Sequence, residues 1–317
     1  MHDGLEVALG LVLLLGGAEA LVRGAVWLTL ALGISPMLVG VTLVAFGTSA
    51  PELVVAGRAG LEGAPGLATG SVLGSNIANI ALILGLAAVV EPITHAPRSA
   101  RFECRYLLLV SALLVVSSLL SRPLGRWEGL GLLGLLLVFN VLLVLRELRQ
   151  RGQRGMDDDL PDVRDRSVGR ALSWVAIAAA GGASLHFGGG FLVDGASGIA
   201  RAFGVSDATI GLTLVALGTS LPELATSVVA ARRGHSEIAL GNVLGSNVFN
   251  ICLVLGSAAM LTPLPMAWQP EGAMAVIGLL LTAVLVALLH RGGIGRTTGW
   301  VLVATYVGSM ALAVAFG

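Results

Sequence analysis

Residues 40–85 read GVTLVAFGTSAPELVVAGRAGLEGAPGLATGSVLGSNIANIALILG, and residues 211–256 read GLTLVALGTSLPELATSVVAARRGHSEIALGNVLGSNVFNICLVLG. The two stretches align without a gap at an offset of 171 residues, and 25 of their 46 positions are identical. Composition can make two apolar segments alike, but it does not set GTSxPEL and GSNxxNI at the same separation in both. The chain is therefore an internal duplication.

Outside the repeats the sequence stays apolar. Of 317 residues, 56% are hydrophobic and 12% charged, the formal net charge is zero and the mean hydropathy is +0.90. The apolar runs are each about membrane length, which reads as a polytopic helical membrane protein with the lipid bilayer as its solvent. Ten spans are expected near 5–31, 36–57, 66–90, 103–121, 127–147, 170–202, 207–231, 237–261, 272–290 and 298–316. The first run begins near Leu5 without a basic region or a small-residue cleavage site, so no cleavable signal is expected. Spans one and six are long and glycine-rich, as tilted helices are. Ser35-Pro36 and Ser206-Asp207 are expected to open spans two and seven, each pairing a capping side chain with a proline or an acid. Cys104 and Cys252 lie in apolar runs and define no disulfide framework.

The one sizeable polar segment divides the chain into a half at 1–147, a linker at 148–169 and a half at 170–317. The linker is mixed in charge, and its Asp157-Asp158-Asp159 run reads as a solvated loop. Alternate connections are rich in arginine: Arg98, Arg101 and Arg105, then Arg146 to Arg170, then Arg232 and Arg233, then Arg291 and Arg296. By the positive-inside rule this side is cytoplasmic and both termini lie outside the cell membrane. Five spans per half place the second copy upside down relative to the first. The expected fold class is an all-α polytopic membrane protein of ten transmembrane helices arranged as two inverted five-helix repeats.

Within GTSAPE, Ala45, Thr48, Ser49 and Glu52 fall at i, i+3, i+4 and i+7, on one helix face. Ala216, Thr219, Ser220 and Glu223 repeat the pattern, and Ser75 with Asn79 recurs as Ser246 with Asn250. Pro51 and Pro222 supply no amide hydrogen to the carbonyls of Gly47 and Gly218. Free carbonyls at membrane depth need protein or a bound group to satisfy them. A structural kink would account for the prolines, but not for the glutamate beside each. A carboxylate near the bilayer centre costs about 2.5–3.5 kcal/mol on insertion scales, and this chain carries two at equivalent positions. Hard oxygen donors without histidine or cysteine suit Na⁺, Ca²⁺ or Mg²⁺, of which Mg²⁺ dehydrates most reluctantly. Gly70, Gly74, Gly241 and Gly245 are expected to let the repeat helices approach closely, with Asn76 and Asn247 as interhelical hydrogen bonders. Glu19 and Arg23 form an i, i+4 pair, Asp194 is the repeat equivalent of Arg23, and His186 reads as a structural histidine. No Walker A, HExxH, nucleophile elbow or CxxC sequence is present, which argues against ATP-driven transport by this chain and against an enzyme.

At GTSAPEL…GSNIAN and GTSLPEL…GSNVFN the sequence resembles the sodium/calcium exchanger branch of the cation/calcium antiporter superfamily, and the resemblance covers essentially the whole chain. It implies a secondary antiporter of Na⁺ and Ca²⁺ with no cofactor, no nucleic acid and no obligate protein partner. Its ion sites would lie between spans two, three, seven and eight. Glu52 and Glu223 would be shared ligands, and the carbonyls of Thr48 and Thr219 would help hold Ca²⁺. The carbonyls of Ala45 and Ala216 and the hydroxyls of Ser49, Ser220, Ser75 and Ser246 would complete flanking Na⁺ sites, with Asn79 and Asn250 lining the middle site. Spans one and six resemble the family's sliding gate. Some prokaryotic and potassium-dependent relatives carry Asp where this chain has Asn250. With two carboxylates, one Ca²⁺ makes the site neutral and three Na⁺ leave it positive, so potassium-independent electrogenic exchange is expected. Ca²⁺/H⁺ exchange and, from a different class, a carboxylate-lined cation channel remain the alternative readings.

Overall fold

The computed structural model describes residues 2–94, 100–153, 167–205, 210, 214 and 216–316. The described chain is helical apart from turns and two isolated β-bridges. The helices are α1 (His2–Leu32), α2 (Pro36–Thr48 with Ala50–Leu61), α3 (Pro65–Val90), α4 (Ala100–Leu119) and α5 (Arg126–Gln153). The second half supplies α6 (Val168–Ala202), α7 (Leu221–Arg232), α8 (Ser236–Leu261), α9 (Ala273–His290) and α10 (Arg296–Phe316). Seven of the described helices are long and apolar enough to cross a membrane, or eight if bent α2 is one span. α7, with Ala216–Gly218 before it, is the repeat copy of α2, and α10 completes ten.

The helix starts follow local chemistry. Ser35 is extended at φ −69°, ψ 143°, and its hydroxyl accepts from the Leu38 amide at 3.2 Å while Pro36 occupies the first turn. The expected second start, Ser206-Asp207, lies outside the described residues, as do Asp157–Asp159 and most of the linker. α5 runs on as helix to Gln153, past the expected span end at 147.

The inversion is visible in contacts at both ends of the bundle. Ile93, after α3, bridges Ile294, between α9 and α10; Leu124, between α4 and α5, bridges Leu264, after α8. An offset of 171 carries Ile93 onto Leu264, and Leu124 lands one residue beyond Ile294. The same bridge is thus made twice, once at each membrane face, as an in-plane two-fold axis requires.

α1 and α6 pack antiparallel along a seam of glycines at heptad spacing. Gly10, Gly17 and Gly24 lie on α1; their repeat mates Gly181, Gly188 and Gly195 lie on α6. A Cβ on Gly17 would sit 2.7 Å from the Gly181 carbonyl, one on Gly188 2.8 Å from the Leu14 amide, and one on Gly24 2.8 Å from the Ala178 Cβ. The two backbones touch directly along this seam.

The four repeat helices α2, α3, α7 and α8 form the centre. α8 is buried from Ile238 to Phe249 without interruption. The expected close approach holds for the second copy: a Cβ on Gly241 would meet the Met37 carbonyl at 2.8 Å, and one on Gly245 the Ala45 Cβ at 2.6 Å. It fails for the first. Gly70 faces open space and Gly74 meets only the Met274 terminal methyl at 3.6 Å. On the α2 side the fitting glycine is Gly40, against Ile238 and Gly241.

Candidate ion-binding site

α2 breaks where the sequence puts Ser49 before a proline. Ser49 leaves the helix at φ −84°, ψ 5°, and the two segments of α2 meet at a bend of 44°. Ser220 does the same at φ −89°, ψ 2°. Each break lifts a glutamate into the first turn of a new helix. On α3 and α8 the helix widens to π-type bonding at Asn79–Ile83 and Asn250–Leu255, which turns the Asn79 and Asn250 side chains toward the centre; such widenings concentrate at functional sites.

The structure brings the expected residues together. Glu52 and Glu223 are 1% and 0% exposed, and lie within coulombic reach of one another. Ser49 donates to Glu223 Oε1 at 3.1 Å and Ser246 donates to the same oxygen at 3.5 Å. Thr48 and Ser246 share a hydroxyl contact at 3.4 Å, and Ser220 donates to Ser75 at 3.1 Å. The Ala45 carbonyl already accepts from the Ser49 amide at 3.0 Å and the Thr48 hydroxyl at 3.3 Å. Ala216 opens the short turn before Ser220. Asn79 donates to Asn247 Oδ1 at 3.0 Å, and Asn250 donates to Asn76 Oδ1 at 3.1 Å; the two bonds are repeat mates.

Asn76 and Asn247 are thus the hydrogen bonders they were expected to be, and they leave acceptors free. Both carboxylate oxygens of Glu52, Oε2 of Glu223, Oγ1 of Thr219 and the side-chain oxygens of Asn79 and Asn250 are buried without a donor. An unsatisfied buried polar atom costs about 1–3 kcal/mol, and more if charged. Six such oxygens around two carboxylates, with no nearby cation side chain engaging them, match the donor set of a hard metal cation. Among the described residues no group of three or more His, Cys, Asp or Glu forms a softer site.

Sequence reading missed Asn242 and Ser227, both fully buried. Asn242 Oδ1 accepts from Thr48 at 3.1 Å, while its amide donates to Ser227 Oγ at 3.0 Å and to the Glu223 carbonyl at 3.4 Å. A signal existed: Asn242, Ser246 and Asn250 run at i, i+4, i+8 along one face of α8. Searching for what the two repeats share conceals it, because the mates of Asn242 and Ser227 are Ser71 and Ala56.

The surroundings of the site are unlike on its two sides. α1 packs on α7 through Leu14, Ala18, Leu21 and Val22 against Ala230 and Ala231. Beyond that contact Glu19 pairs with Arg23 and with Arg233 at the end of α7. Between α6 and the second segment of α2 there is a cleft of about 350 Å³, and a second cleft of about 470 Å³ lies between α1, α6 and the first segment of α2, beside Leu21, Gly47, Ala50 and Gly182. Pro51, His186, Asp194, Gly218, Thr219 and Pro222 line the first.

An inverted-repeat bundle with paired intramembrane carboxylates at its centre defines an ion-translocating secondary transporter rather than an enzyme. The sequence matches the sodium/calcium exchanger protein family over residues 5–145 and 173–315, and the chain belongs to that family. It is 38% identical over 312 residues to the putative antiporter CaxA of Alkalimonas amylolytica, with 95% of each chain covered. It is 32% identical over 336 residues to the sodium/calcium exchanger MaX1 of Methanosarcina acetivorans, with 96% of each covered. Its fold superposes on the solved sodium-calcium exchanger NCX_Mj with a TM-score of 0.85 at 29% identity, over 98% of both chains.

Proposed function

We propose that this chain exchanges Na⁺ for Ca²⁺ by alternating access, with Glu52 and Glu223 as the ligands for which the two ions compete. The observation that carries the reading is the Glu52 carboxylate, 1% exposed, with the Thr219 and Ser220 hydroxyls facing it but no hydrogen bond closed within 3.5 Å on either oxygen. A buried charge in that condition is stable only against a counter-charge, and a cation supplies it. Ca²⁺ would sit between the two carboxylates and the carbonyls of Thr48 and Thr219. Na⁺ would use the carboxylates with Ser49, Ser75, Ser220, Ser246 and the carbonyls of Ala45 and Ala216, with Asn79 and Asn250 lining the middle. The free oxygens on Glu52, Glu223, Asn79 and Asn250 support these roles. The Ala45 carbonyl already accepts from the Ser49 amide and the Thr48 hydroxyl, so an ion there would have to displace the hydroxyl.

The cleft beside Thr219 would give ions their path on one face, while on the other α1 packs against α7 and a second cleft lies beside Gly47 and Ala50. Transport then requires the α1–α6 body to slide across the four-helix centre, opening the Thr48 side and closing the Thr219 side. A site with two bare carboxylates resists that passage because they would be desolvated uncompensated, which enforces exchange over leak. Arginine placement supports a cell-membrane orientation with both termini outside and the 148–169 linker cytoplasmic, the halves at 1–147 and 170–317 forming the inverted pair. The cleft beside Thr219 then faces outward, in keeping with the extracellular ion exchange for which the NCX_Mj structures were determined.

The test is ⁴⁵Ca²⁺ uptake into Na⁺-loaded proteoliposomes diluted into Na⁺-free buffer with a proton ionophore present. Uptake that requires internal Na⁺ is expected. Uptake indifferent to Na⁺ but driven by a pH gradient once the ionophore is omitted would transfer the same glutamates to Ca²⁺/H⁺ exchange. Flux needing neither gradient would mark a channel.

A further inference from the structure

The two halves of the site share their motifs but not their hydrogen bonding. In one half Thr48 is fastened: its hydroxyl donates to Asn242 Oδ1 at 3.1 Å, and the same amide reaches the Glu223 carbonyl and Ser227. Glu223 also receives Ser49 and Ser246 on Oε1. In the other half no amide fastens Thr219, the mate of Thr48: its hydroxyl and that of Ser220 face Glu52, the mate of Glu223, without closing a hydrogen bond within 3.5 Å. The sequence explains the difference. An offset of 171 takes Asn242 to Ser71 and Ser227 to Ala56, so the first repeat lacks both the amide and the hydroxyl it binds. A serine side chain is too short to span what Asn242 spans. The loose half borders the cleft that Thr219, Pro222 and Asp194 line.

We propose that Asn242 is a positioning residue for the ion site, one that holds the Thr48–Glu223 half in ligating geometry while the Glu52–Thr219 half remains free to receive ions from the cleft. The inference rests on the exchange reading above. Asn242 touches no ion in this arrangement; it acts through the Thr48 hydroxyl and the Glu223 backbone. It tethers one segment from each repeat to α8, so that binding energy is not spent ordering them. The two glutamates are thereby unequal: Glu223 arrives preorganised and Glu52 adapts.

The experiment replaces Asn242 by the first repeat's residue, Asn242→Ser, and reads the Ca²⁺ concentration that half-protects the full-length detergent-solubilised chain against thermal unfolding, alongside KM and Vmax for Ca²⁺ in proteoliposomes. The expected result is a rise of about tenfold in both half-protection and KM, equivalent to about 1.4 kcal/mol, with Vmax changed less than twofold. Thr48→Val keeps the carbonyl and removes only the hydroxyl, so it should give a similar rise, and the double variant Asn242→Ser, Thr48→Val should add little to either. A general loss of folding would instead lower ion-free stability and Vmax together and would multiply in the double variant, which overturns the inference. So does an unmoved half-protection point in Asn242→Ser. A wild-type chain that Ca²⁺ fails to protect at all overturns the exchange reading and this one together, whereas protection of the wild type without any effect of Asn242→Ser overturns this one alone.

Discussion

Glu19 on α1 pairs with Arg233 at the end of α7, where the two helices pack against each other. The position equivalent to Glu19 on α6 is Gly190, which lines the cleft beside Thr219, so the pair has no repeat mate. Both side chains are partly exposed, at 30% and 41%, so the pair is worth only about 0.2–1 kcal/mol. Glu19→Gln should therefore shift the balance of open states by up to about fivefold, not abolish transport. A cysteine at buried Ala230, behind the pair, should react faster with an impermeant maleimide in the Glu19→Gln background. High salt should erase part of the difference. Labelling at the wild-type rate would mean that the pair is no latch.

The glycine seam makes a sharper claim. Gly17→Ala places a methyl 2.7 Å from the Gly181 carbonyl and 2.9 Å from the Leu185 amide, neither of which can move aside. Overpacking of this kind costs about 1–3 kcal/mol, and here it also forces apart the two helices that we propose move together. Thermal stability and Ca²⁺ uptake should both fall. Gly16→Ala is the control, since its Cβ meets nothing within 4 Å, and it should leave both unchanged. Equal behaviour of the two variants would remove the seam from the mechanism.

How much of this was legible in the sequence depends on whether a feature is repeated or merely implied. Span limits came within a few residues because apolar runs end where capping chemistry begins, as at Ser35. The paired residues Glu52 and Glu223 were legible because duplication marks them twice. The glycine seam was missed although Gly10, Gly17, Gly24 and their mates obey both the heptad and the offset, because they lie outside the aligned 46 residues. Gly70 and Gly74 were misjudged because small-xxx-small spacing permits close approach without saying which helix, if any, comes close. Asn242 was hidden because it is where the repeats differ, and the Glu19–Arg233 pair because it joins residues 214 apart in sequence.

Glu52 offers a test in which stability and function move in opposite directions. Its two oxygens close no hydrogen bond within 3.5 Å, so the ion-free chain buries an unsatisfied carboxyl group. Glu52→Gln should raise ion-free stability by about 1–3 kcal/mol, seen as a higher unfolding temperature, while removing stabilisation by Ca²⁺ and abolishing Ca²⁺ uptake. Glu223→Gln should also abolish uptake, but with a smaller gain in ion-free stability, because Ser49 and Ser246 already serve its Oε1. Normal Ca²⁺ flux in Glu52→Gln would sink the assignment of the site.

The charge count of the site fixes the electrical character of exchange. Asn250 and Asn79 are neutral amides, so the buried ligands carry two negative charges. One Ca²⁺ balances them and three Na⁺ leave a net charge of about +1 on the returning limb. In Na⁺-loaded vesicles taking up Ca²⁺, one positive charge then leaves per cycle, so an inside-positive potential should accelerate uptake and an inside-negative one should slow it. A charge crossing about 100 mV gains about 2.3 kcal/mol, which is large enough to read in initial rates. External K⁺ with valinomycin sets the inside-positive potential, and the same K⁺ without valinomycin should do nothing, since no third carboxylate is present to recruit it. Rates indifferent to potential would require two Na⁺ per Ca²⁺, and acceleration by K⁺ alone would require a potassium site that the two amides do not provide.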